Sequence, residues 1–233
     1  MAPSSKQKKL EEVIEKTRES LVRSAWFEAE RLAQKALIMA KQDHDFERMA
    51  AVVPLMQEAR RQRLRLAVES GRIAIMDEPI TEDMKIKPGC YIVRPPQVGS
   101  DARRMRLAAL SGEVPVVVIC REPLTKTKLL PIVAISPGST IRVKVEPPAK
   151  LDAPDVAWFV SALEALGDWA LESMDATLPV TRKIEALLEH IDALPEHENL
   201  HLALEAACRE AHTAQSREKA APAKGIGKSK VRG

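Results

Sequence analysis

The chain has 233 residues, enough for one large domain or two small ones. Hydrophobic residues make up 45% and aromatic ones 3%, so a substantial core must be built from Ala, Leu, Val and Ile. That scarcity of rings argues against a stacking platform for single-stranded nucleic acid, and a net charge of +3 does not by itself demand one.

The three cysteines, Cys90, Cys120 and Cys208, are far apart and form no C-x-x-C. That suits a reducing compartment rather than a disulfide framework, and the expected location is cytoplasmic. The N-terminus lacks the apolar run of a secretory signal. With no 18-residue apolar segment, no membrane span is expected.

In chain order, residues 1–71 read as a helical block. Leu10, Val13, Ile14, Thr17 and Leu21 form one stripe, entered from Ser4 or Ser5. A second helix is expected from Trp26 to Lys41. A third, capped by Asp43 or Asp45, should kink or restart at Pro54 and stop at Gly71. Residues 72–150 change character, with many prolines and five β-rich runs: Arg72 to Met76, Cys90 to Arg94, Val114 to Cys120, Leu130 to Ile135 and Thr140 to Val145. Val116 to Ile119 does not alternate and reads as a covered central strand. Ile141, Val143 and Val145 alternate with polar residues, which predicts one wet face. Pro137-Gly138 suggests a tight turn, and Ser100 or Asp101 a cap for a short helix ending near Gly112.

Helical periodicity returns over residues 151–216, led by Val156, Phe159 and Leu163, then Ile184 and Leu187, then Leu200 and Leu204. Residues 217–233 read as a disordered basic tail. Its Gly225-Ile226-Gly227-Lys228-Ser229 ends like a phosphate loop, but Pro222 stands where that pattern needs glycine. The expected fold is α+β and mainly helical, with two helical blocks flanking a small β-rich middle. The blocks either pack together around the inserted sheet or form separate lobes.

Ala29, Ala33 and Ala36 set a small-residue stripe on one helix face, where a second helix can approach closely. Over residues 25–41 this resembles the second helix of a tetratricopeptide unit. A further echo, Trp158 with Ala162, Leu163 and Leu166-Gly167-Asp168, resembles the first helix of such a unit. No repeat of about 34 residues appears, and Lys41 stands near where a closing proline would fall. The resemblance covers about a third of the chain. It implies docking of a protein or peptide in a concave groove, with Trp26, Glu30, Gln34 and Trp158 as candidate surface residues.

His197-Glu198-Asn199-Leu200-His201 spells H-E-x-x-H, which on a helix sets two imidazoles one turn apart for zinc. His197, His201 and Glu205 are the candidate ligands. Pro195 suggests a helix start at this point, and one helix cannot wrap three ligands around one ion, so another segment would have to contribute. No cofactor is expected, zinc being the exception this motif leaves open. Arg60, Arg61, Arg103 and Arg104 are candidate anion or nucleic-acid contacts if their helices face the same way. Otherwise they are solvated faces paired with carboxylates.

No catalytic set emerges. The leading reading is a non-enzymatic interaction module with a helical docking surface and a protein partner. The second is a nucleic-acid- or ribosome-associated protein, and the third a zinc hydrolase using His197, Glu198 and His201. Self-association into a homo-oligomer stays open.

Overall fold

The computed structural model describes residues 4–220 apart from residue 82. Helix α1 (Ser5–Val22) starts in a capping box: Gln7 N–H donates to Ser4 Oγ, and Ser4 N–H donates to Gln7 Oε1 at 2.8 Å. It is followed by α2 (Trp26–Gln42) and α3 (Phe46–Glu69). The two connections are the same three-residue turn. Each has a positive-φ centre, Ser24 at 58° and His44 at 51°. Each closes on a 2.9 Å bond, from Ala25 N–H to Ser20 O and from Asp45 N–H to Ala40 O.

Ala29, Ala33, Ala36 and Ala40 are all buried, so α2 lies in close contact with both α1 and α3. Asp45 caps α3, its Oδ1 accepting from Arg48 N–H. The helix is not restarted at Pro54, which sits inside one continuous segment. It ends before Gly71, whose φ of +64° is the left-handed conformation a helix-closing glycine supplies.

A five-stranded sheet follows, in the order β1 (Ile73–Met76), β2 (Gly89–Val93), β3 (Val116–Arg121), β4 (Leu130–Ile135), β5 (Thr140–Val145). β1, β2 and β3 run parallel; β4 and β5 are antiparallel additions. Helix α4 (Gly99–Ser111) crosses between β2 and β3. The expected Asp101 cap takes a different form. Asp101 lies inside the first turn, and its carboxylate reaches back to accept from Val98 N–H at 2.9 Å. Period-two alternation sorts the sheet's side chains. Cys90, Ile92, Val117, Ile119, Leu130 and Ile132 belong to the core shared with the large helical layer. Tyr91, Val93, Val116, Cys120 and Val133 meet Ala102, Met105 and Ala109 of α4. β3 is therefore central and covered, as its unbroken apolar run indicates, whereas β5 buries Ile141 and exposes Thr140 and Arg142.

The chain closes with α5 (Val156–Glu172), α6 (Val180–Ala193) and α7 (Glu198–Ala220). α7 lies along α3, and α5 and α6 lie against β4 and β5. One core spans residues of both helical blocks and the sheet, so the separate-lobe arrangement does not form. Helix α7 runs through 217–220, past the expected start of a disordered tail. The rest of that tail, including Gly225 to Ser229, lies outside the described residues. Among the described residues, no helix is long and apolar enough to cross a membrane.

Candidate functional site

A cleft of about 380 Å³ opens where α2 faces the C-terminal half of α4. Phe27, Glu30, Arg31 and Gln34 come from one face of α2, spaced i, i+3, i+4, i+7. Leu107, Leu110 and Ser111 come from α4, and Glu113 from the turn just after it. The lining mixes the apolar Phe27, Leu107 and Leu110 with polar side chains and charges of both signs. Leu107 lies off the buried α4 stripe of Ala102, Met105 and Ala109 and is 39% exposed.

Glu30 borders this cleft without being free to bind. It is 2% exposed, which corrects its expected place on the surface. Arg60 Nε donates to its Oε1 at 2.8 Å, Arg63 donates to its Oε2, and Gln34 Nε2 donates to Oε1 at 3.3 Å. Burial pushes its pKa up, but Arg60 and Arg63 outweigh that and hold the carboxyl below its ordinary value. Arg63 also lies over the Phe27 ring at 4.9 Å, linking the network to the cleft wall.

His201 completes the network from α7. Its Nδ1 donates to His197 O at 2.9 Å, leaving Nε2 to accept from Arg60 Nη1 at 3.1 Å. Burial and the adjacent Arg60 cation lower its pKa to about 3. A second proton would point an N–H at a guanidinium. Both ring nitrogens are thus engaged within the protein, and His201 is not available as a metal ligand.

The H-E-x-x-H pair is split for a geometric reason. α7 begins at Glu198, so His197 precedes the helix, and its ring turns toward α5 rather than along α7. Glu205 is taken by Arg209, whose Nε donates to its Oε1 at 3.0 Å. The expected His197, His201 and Glu205 set therefore does not converge.

The arginines follow the paired arrangement. Arg60 is buried on Glu30. Arg61 bridges Glu58 and Glu198, Arg103 faces Asp192 at 3.5 Å, and Arg104 holds Asp101. Arg94 and Arg121 both approach Asp152. Of the tryptophans, Trp26 is half-buried at the start of α2. Trp158 donates from Nε1 to Glu146 O at 2.9 Å, which fastens α5 to the end of β5 away from the cleft lining. Burial pushes the thiols of Cys90 and Cys120 to about 11 and that of Cys208 to about 12, so none is an activated nucleophile.

Sequence reasoning missed Phe27, Leu107 and Leu110. The available signal was Leu107 itself, an apolar residue outside its helix's core stripe. Compared with protein-family models, curated proteins and solved structures, the chain matches none.

Proposed function

We propose that the chain is a non-enzymatic interaction module, and that the α2–α4 cleft receives an apolar side chain of a partner polypeptide. The observation that carries this reading is the cleft's construction. Phe27, Leu107 and Leu110 present apolar surface around a volume of about 380 Å³. That is near the low end for binding sites, about 300–1,000 Å³, and suits one or two side chains of a docked segment. Arg31 and Glu113 on the rim supply polar contacts to the segment's flanks. The tetratricopeptide resemblance points to the same class of function. The repeated turns and the buried alanine stripe are features such a helical unit would need. For the nucleic-acid reading, pairing of Arg61, Arg103 and Arg104 with carboxylates weighs against a free cationic face.

The test compares the unchanged protein with Leu107→Asp in pull-downs from nuclease-treated lysate of the source cells. The expected outcome is a defined protein held at stoichiometric level by the unchanged chain. Leu107→Asp should weaken that capture at least about tenfold, a loss of about 1.4 kcal/mol, with its melting temperature unchanged. Equal capture by the variant, or loss of every partner on nuclease treatment, overturns the proposal.

A further inference from the structure

Glu164 and Asp168 stand one turn apart on α5, and the residues leading into α7 bring the His197 ring onto them. His197 Nε2 lies 3.2 Å from Glu164 Oε2 and 3.4 Å from Asp168 Oδ1. The three candidate ligand atoms fall within 4.8 Å of one another. His197 is 0% exposed, and neither ring nitrogen has a hydrogen-bond partner. Both contacts are close, yet neither meets hydrogen-bond geometry. A buried imidazole left this way is costly, by about 1–3 kcal/mol for an unsatisfied polar group.

We infer that Glu164, Asp168 and His197 form a site for a divalent transition-metal ion, with zinc as its ligand. Zinc holds nitrogen and oxygen ligands at about 2.0–2.2 Å in a tetrahedral array, which sets neighbouring ligand atoms about 3.3–3.5 Å apart. The 3.2 and 3.4 Å separations are compatible with that spacing. Two carboxylates and a neutral imidazole balance a divalent charge. Glu164 and Asp168 are 46% and 54% exposed, so the outer side is open to entry and to water as a remaining ligand.

Gly167 belongs to the same design. A Cβ at this position would sit 2.1 Å from a His197 ring carbon. Only glycine lets the ring reach the two carboxylates of its own turn. A metal on Nε2 places the imidazole proton on Nδ1, so the ion satisfies one of the two buried ring nitrogens.

The experiment titrates tag-free, chelator-treated full-length protein with Zn²⁺ by calorimetry at neutral pH. Co²⁺ absorption serves as a second readout of the ligand geometry. One saturable equivalent of zinc is expected, and Glu164→Gln with Asp168→Asn should lower its affinity at least about a hundredfold. These two residues are half-exposed, so the double variant keeps the fold where His197→Asn risks losing it. Absence of a saturable equivalent overturns the inference. So does equal affinity in the double variant, which would place the ion on histidines elsewhere.

Discussion

At the α2–α4 cleft the buried polar group is Glu30, and two guanidiniums and an amide hold it. At the α5–α7 junction it is His197, and no hydrogen bond holds either of its ring nitrogens. The contrast separates structural from available chemistry. Glu30 locks α2 to α3 and leaves Phe27, Leu107 and Leu110 to line the cleft, whereas His197 Nε2 faces two carboxylates without a completed hydrogen bond. His201, four residues beyond His197 in sequence, falls on the structural side because Arg60 and a backbone carbonyl consume both nitrogens.

Breaking the structural side should have the largest effect. Glu30→Gln strands Arg60 and Arg63 in the interior and should cost about 3–5 kcal/mol in urea unfolding. A loss near zero would mean that water reaches those guanidiniums. Gly167→Ala should come next, at about 1–3 kcal/mol, because its Cβ and the His197 ring cannot share the space. The same variant should lose zinc binding, which tests whether the ring's position is what makes the site.

The last effect is graded with pH and is read as a slope. The folded-state pKa of His201 is about 3 against an ordinary 6.5, so the unfolded chain binds its proton first. The stability that neutral His201 contributes is therefore full above about pH 6.5 and falls as pH drops toward 3, by up to about 1.4 kcal/mol per unit. His201→Gln should lessen that decline between pH 6.5 and 4.5, the remainder coming from His190, whose pKa burial also lowers. The contribution of Glu30, whose pKa is lowered from 4.5, is present above 4.5 and disappears only in stronger acid, outside that window. An unchanged slope in the variant would mean that another group sets the acid sensitivity.

Much of the fold was readable from local pattern. Alternation in β5, the solid run of β3, the Ser4 cap and the glycine at 71 each encode their own geometry within a few residues. Pro195 likewise marked the break that puts His197 ahead of α7. The paired residues were not readable, because each pair depends on register between distant helices. Glu30 sits next to the buried alanine stripe, and only the α2–α3 alignment sets Arg60 and Arg63 against it. Glu164 and Asp168 look like an ordinary polar face until α7's start is placed against α5. Gly167, in the middle of an apolar helix, was the sign of a close approach there. Composition also misled at the C-terminal end. Arg217, Glu218, Lys219 and Ala220 favour helix individually, and α7 continues through them.

The most direct test of the docking account is site-specific photo-cross-linking from position 107 in the cleft, with position 202 as a control. Leu202 is an exposed apolar residue on α7, outside the cleft lining. The account predicts that position 107 labels a defined partner through a segment bearing an apolar side chain, and that position 202 does not label that partner. The same labelling from both positions, or none from position 107, would contradict it.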